Sequence, residues 1–122
     1  MATFEHARIE ARYEHLVLDF LAYLEFERGL SRNTLEAYRG DLLQLGRFLA
    51  ERSRSAIEAT PSDISDFLTR LATGDDDHRP ASPATIHRKS ACLRSFYRHL
   101  RRGALRLAVG SESRSPSRRR WR

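Results

Sequence analysis

Apolar residues recur along this chain at steps of three and four, the period of an amphipathic helix, and no stretch sustains the alternation of a strand. Four helical segments follow. The first covers about residues 10–28, where Tyr13, Leu16, Val17, Phe20, Leu21 and Leu24 share one face. Gly29 stands just after it, where a left-handed backbone commonly ends a helix. The second covers about 32–52, with Ser31 as its N-cap. Leu35, Tyr38, Leu42, Leu45 and Leu49 form its seam, and Leu43 and Phe48 widen it. Gly40 and Gly46 weaken that helix by roughly 1 kcal/mol each, and they permit close packing against a helix or a ligand backbone. The third, about 61–73, has Thr60 as cap, Pro61 at its first position and Asp63 in its first turn. Its apolar face is Ile64, Phe67, Leu68 and Leu71, and Gly74 can end it. After an acidic, turn-rich loop over 74–81, the fourth helix covers about 83–102 behind Ser82 and Pro83. Ile86, Leu93, Phe96, Tyr97 and Leu100 are its buried side. Gly103 is read as its stop; Leu105, Leu107 and Val109 are too few to define another element, and 110–122 reads as disordered. The fold class expected is all-α: a compact bundle of four helices over residues 10–103, with a linker remnant or disordered basic tail over 104–122.

Composition narrows the function classes. A chain of 122 residues has room for one domain. No apolar run approaches the roughly 20 residues that cross a membrane. The start, Met1 to His6, has no basic segment leading into an apolar one, so no secretory signal is expected. A single cysteine, Cys92, excludes an intrachain disulfide and a cysteine-based metal site. These features point to the cytoplasm.

Charge changes the picture more. The net +6 conceals two halves: residues 1–81 hold 10 Lys/Arg against 15 Asp/Glu, for −5, and residues 82–122 hold 12 against one, for +11. A basic half on an acidic chain suits a polyanion such as nucleic acid, with a merely solubilising tail as the alternative. On the fourth helix, Ile86, Phe96, Tyr97 and Leu100 fall within about 60° of Leu93 at 100° per residue. His87, Arg94, Arg98 and Arg101 gather at roughly 80–140°, with Ser90 and Ala91 along the same strip. Residues 82–102 contain no acid at all. That helix therefore forgoes the i, i+4 ion pairs that stabilise an exposed helix, as though a partner supplied the negative charge. A solvated basic face is the alternative. Lys89 borders the core on the other side, while Arg88, His99 and Arg102 point elsewhere. At the start of the second helix, Ser31, Arg32, Asn33 and Thr34 combine free N–H groups, hydroxyls and a cation as a phosphate would require, although the same residues also describe ordinary capping.

No catalytic constellation emerges. His99 and Arg102 match a His-x-x-Arg spacing, but no tyrosine follows Tyr97. Tyr13, Tyr38 and Tyr97 lie on apolar faces and read as core. The five histidines have no metal-ligand spacing, and there is no glycine-rich phosphate loop. Asp75, Asp76 and Asp77 read as a solvated loop. No metal, cofactor or small-molecule substrate is expected.

Three separated blocks carry a family resemblance. Residues 30–42, from Leu30 through Ser31, Asn33, Thr34, Ala37 and Tyr38 to Asp41 and Leu42, resemble the signature L-S-x-N-T-x-x-A-Y-x-x-D-L. Residues 20–29 fit the preceding helix. Residues 82–100 resemble S-x-x-T-x-x-R-x-x-S-x-x-R-x-F-Y-x-x-L through Ser82, Thr85, Arg88, Arg94, Phe96, Tyr97 and Leu100, with local departures. On these blocks the chain resembles the N-terminal core-binding (SAM-like) domain of XerC/XerD-type tyrosine recombinases, of the phage integrase family, over about residues 12–103.

The resemblance implies one half of a clamp around double-stranded DNA, with the second and fourth helices facing the major groove and its phosphates. The implied contact residues are Ser31, Arg32, Asn33, Thr34 and Arg39 on the second helix. On the fourth they are Ser82, Thr85, His87, Arg88, Lys89, Arg94 and Arg98. It also implies that the first helix packs on a neighbouring recombinase subunit in a synaptic tetramer. The implied process is site-specific DNA integration or recombination, with chromosome-dimer resolution as one form. The family's catalytic arginines, lysine, histidines and tyrosine belong to a following domain that these residues do not contain, so the chain is expected to be inert as an enzyme. From Leu107 onward the sequence departs from the family's linker, which contains Asp-Pro. The alternative function is a helical protein-interaction module that joins a recombinase assembly without binding DNA strongly.

Overall fold

The computed structural model describes residues 2–112, and the side chains of residues 11–103. It contains four helices: α1 (Ala2–Glu27), α2 (Arg32–Glu51), α3 (Pro61–Thr73) and α4 (Pro83–Glu112). There is no strand among the described residues.

Each boundary has a local cause. Gly29, at φ 65°, turns the chain out of α1, and the Leu30 N–H reaches back to the Leu24 carbonyl at 3.2 Å. Ser31 then caps α2, its Oγ accepting from the Thr34 N–H. At the other end of α2, Ser53 adopts φ 58°. Its N–H donates to the Ala50 carbonyl and the Arg54 N–H to the Leu49 carbonyl, both at 2.9 Å, which closes a Schellman motif around a serine instead of a glycine. Thr60 and Asp63 form a reciprocal capping box on α3. Gly74 ends α3 at φ 81°, and a Cβ there would meet the Pro80 nitrogen at 2.8 Å.

Two expectations about helix length are corrected. The first helix begins at Ala2 and not near residue 10. Gly103 does not stop the fourth helix, which runs on to Glu112. A helical glycine costs only about 1 kcal/mol, and the following Ala104, Leu105, Arg106, Leu107 and Ala108 are strong helix formers. Of the segment expected to be disordered, residues 110–112 are helical, and residues 113–122 lie outside the described residues.

The core draws on every helix. Tyr13, Val17, Phe20 and Leu24 of α1 meet Leu42, Leu45, Phe48 and Leu49 of α2, Phe67 of α3, and Cys92, Leu93 and Phe96 of α4. Phe96 sits at the centre, edge-on to Tyr13 at 6.0 Å and Phe20 at 5.4 Å between ring centroids. Gly46 lets α1 approach α2: a Cβ there would come within 2.6 Å of the Tyr13 ring. The Tyr13 hydroxyl donates to the Leu42 carbonyl. Along α1 and α4, the pairs Asp19–His99 and Tyr23–Arg102 advance together, so these helices run in the same direction. On α2 and α4, Tyr38 meets Cys92 while Gln44 meets Lys89, so this pair runs in opposite directions.

Candidate nucleic-acid interface

The two helix starts singled out by sequence are built alike. In α2, the Ser31 Oγ accepts from the Thr34 N–H at 3.2 Å and donates to the Thr34 Oγ1 at 3.1 Å. In α4, the Ser82 Oγ accepts from the Thr85 N–H at 3.2 Å and donates to the Thr85 Oγ1 at 3.0 Å. Capping therefore occupies both serine hydroxyl protons, and the threonine hydroxyls keep theirs. Because α2 and α4 run in opposite directions, these starts sit toward opposite ends of the pair. Arg32, Asn33 and Arg39 are exposed on α2, while Thr34 and Thr85 are half-buried.

The basic residues of α4 separate into two groups. His87, Arg94, Arg98 and Arg101 are exposed, and none has a hydrogen-bond, ion-pair or ring partner among the described residues. Arg88, Lys89, His99 and Arg102 are instead committed to other helices. Arg102 donates to the Tyr23 hydroxyl at 3.1 Å and lies over that ring at 5.1 Å. The Arg28 guanidinium, followed by that of Arg102, holds the Tyr23 phenol below its usual range, although desolvation opposes them. The His99 Nε2 lies 2.9 Å from the Asp19 Oδ2, with its ring tilted against Phe20 and Tyr23.

Arg88 and Lys89 converge on Asp41, a carboxylate buried in the seam between α2 and α4. The Arg88 Nε donates to Asp41 Oδ2 at 3.2 Å and its Nη2 to Oδ1 at 2.7 Å. Lys89 Nζ donates to the same Oδ1 at 2.7 Å and to Gln44 Oε1 at 2.8 Å. Cys92 lies beside this cluster, and burial pushes its thiol up to about 12. It is a packing residue, not a nucleophile. Sequence reasoning left Asp41 as one letter of a signature. Its signal was an acid wedged directly before Leu42, at the edge of an apolar seam, with two adjacent cations available in a stretch, 82–102, that lacks acids.

By angle around α4, Lys89 and Cys92 lie at about −40° and −100° from Leu93, on the α2 side, whereas the unpaired stripe lies at about +80° to +140°, on the other flank. The exposed side of α4 is thus bordered by the Asp41-bound cations on one edge and by the unpaired basic residues on the other.

The acidic loop is closed on itself. Asp75 Oδ1 accepts from the N–H groups of Asp77 and His78, at 2.9 and 2.8 Å, and these bonds hold its carboxyl below the usual range. No group of three or more His, Cys, Asp or Glu able to hold a metal occurs among the described residues. No helix among them is long and apolar enough to cross a membrane.

Residues 17–103 match the family model described as phage integrase, N-terminal SAM-like domain. The chain belongs to that family. The match takes in α2 and α3 whole and parts of α1 and α4, from Val17 in α1 to Gly103 in α4. The chain's similarity to tyrosine recombinases is direct. It is 35% identical to tyrosine recombinase XerD of Agrobacterium fabrum over 106 residues, covering 87% of this chain and 28% of that protein. It is 40% identical to XerC of Myxococcus xanthus over 91 residues, 74% of this chain and 28% of the relative. To XerC of Pelobacter propionicus it is 41% identical over 100 residues, 80% of this chain and 30% of the relative. The chain thus spans less than a third of the length of these relatives. No solved structure gives a significant match.

Proposed function

We propose that this SAM-like domain binds double-stranded DNA as the N-terminal half of a recombinase clamp. The observation that carries the reading is the row of exposed basic residues on α4, His87, Arg94, Arg98 and Arg101, with no partner among the described residues. A phosphate backbone supplies the missing charge. The contact set is Ser31, Arg32, Asn33, Thr34 and Arg39 on α2, with Ser82, Thr85, His87, Arg88, Arg94 and Arg98 on α4, and Lys89 beside them in its ion pair with Asp41. The process served is site-specific DNA recombination in the cytoplasm, with chromosome-dimer resolution as the finer assignment. Strand cleavage and rejoining depend on residues outside these 122, and other recombinase subunits complete a synaptic tetramer.

The test is the salt dependence of duplex binding. Replacing Arg94 and Arg98 by alanine together lowers the slope of log K against log salt by about 1.8, at about 0.9 per lost phosphate contact. Unchanged affinity and slope would show that the stripe does not face DNA.

A second reading, docking on another protein subunit, is favoured by α1. Leu18 and Phe26, two helical steps apart across Ala22, are 54% and 79% exposed. Gel-shift and pull-down measurements on one sample separate the two readings. Firm capture of a recombinase subunit with only weak, non-specific DNA binding supports the second.

A further inference from the structure

We infer that Asp41 is a positioning residue: it holds the Arg88 guanidinium at the mouth of the α2–α4 seam so that the free edge of that group meets a backbone phosphate of duplex DNA. The inference rests on the DNA-binding reading and assigns a division of labour within it.

Three observations carry it. The first is charge. Asp41 is 2% exposed and receives two cations, where one neutralises it. Lys89, with its side chain only 12% exposed, is the inner one, and Gln44 takes a second of its protons. Lys89 therefore compensates the buried carboxylate, and Arg88 is the surplus. The second is direction. Arg88 uses Nε and one proton of Nη2 on Asp41, which leaves three of its five N–H donors without an acceptor among the described residues. Its side chain is 46% exposed, so the group is open to a ligand. The fork fixes the plane of the guanidinium before any ligand arrives, and a preset plane favours two-point contact with a phosphate. The third is clearance. Ala84, Ala91 and Ser95 flank Arg88 on α4 at i−4, i+3 and i+7, and a Cβ added at Gly40 of α2 would meet nothing within 4 Å. No long side chain from these positions stands between Arg88 and an approaching strand.

A purely structural lock would look similar in the free protein, so the test is a double-mutant cycle read on DNA. Duplex affinity is measured for the full chain, Asp41→Asn, Arg88→Ala and the double variant, at a temperature where circular dichroism shows all four folded. Arg88→Ala weakens binding by about tenfold, as for one hydrogen bond to a charged group, and lowers the salt slope by about 0.9. Asp41→Asn weakens binding several-fold when Arg88 is present and by less than about twofold when it is absent, the limit of ordinary additivity. An equal loss in both backgrounds overturns the inference, because Asp41 then acts through the fold and not through Arg88. Nuclear magnetic resonance on the unaltered chain gives a reading that does not depend on variants folding. The Arg88 Nε–H stays protected from solvent exchange on addition of a random-sequence 20-bp duplex if Asp41 keeps holding it. Loss of that protection means that Arg88 leaves Asp41 to bind, which also overturns the inference. An inert Arg88→Ala alongside an active Arg94 and Arg98 pair sinks this assignment alone. An inert Arg94 and Arg98 pair removes the stripe from under the DNA reading itself.

Discussion

The arginines at the α2–α3 junction and those on the outer face of α4 are the same residue type in opposite circumstances. At the junction, three cations meet three acids. Arg52 reaches Asp63 and Asp66 at 3.0 Å each, Arg54 reaches Asp63 at 3.1 Å, and Arg70 reaches Glu51 at 3.2 Å. Arg52 and Arg70 also lie over the Phe48 ring, at 4.4 and 5.4 Å, so their stems cover the core. On α4, Arg94 and Arg98 have no partner among the described residues. Basic residues at the junction serve the fold; on α4 the unmatched charge is available to a ligand. A count of cations along the chain does not separate these uses, but a count of unsatisfied ones does.

If that contrast is right, substitutions on the two sides fail in different assays. The largest effect is on DNA binding: Arg94→Ala with Arg98→Ala lowers the salt slope as stated, while urea unfolding stays within about 0.5 kcal/mol, as for exposed positions. A large stability loss there would erase the distinction. On the closed side, Gly46→Ala drives a Cβ toward the Tyr13 ring and destabilises the domain by roughly 1–3 kcal/mol, the usual cost of overpacking. Urea unfolding measures it, and the DNA salt slope of the folded protein stays put.

Acid sharpens the comparison further. The Thr60 N–H, followed by the Arg52 side chain, holds the Asp63 carboxyl below its usual range, although burial opposes them. A carboxylate with a folded pKa below its unfolded value adds stability that is present above the unfolded value of about 3.9 and is lost as pH falls through the folded one. The thermal midpoint of Asp63→Asn should therefore fall less than that of the unaltered chain on acidification below about pH 4. Parallel curves would show that the junction network does not couple to folding. The smallest effect expected is a gain. Ser53 holds a left-handed conformation that glycine adopts freely, so Ser53→Gly should add about 0.5–1 kcal/mol without touching DNA affinity. Urea unfolding checks the sign.

Much of this was legible along the chain. The apolar steps placed all four helices and most of the core, because burial of a helix face requires that period whatever its neighbours are. Thr60, Pro61 and Asp63 marked the start of α3, because a capping box is built from residues close in sequence. The two helix-length corrections fall at positions where local signals are weak: a single glycine is a small cost against a run of helix formers.

The sequence by itself also determined that α4 carries more positive charge than its own residues can satisfy, since no acid lies within 82–102. Only the tertiary structure decided which of those charges are spent. Asp41 and Arg88 are 47 positions apart, and Asp19 and His99 are 80 apart. Nothing in local spacing relates such pairs. They meet because burying the apolar faces sets α1, α2 and α4 side by side in a particular register. That register turns Lys89, His99 and Arg102 toward neighbouring helices, leaves His87, Arg94, Arg98 and Arg101 facing outward, and sets Arg88 between the two groups, paired with Asp41 yet 46% exposed.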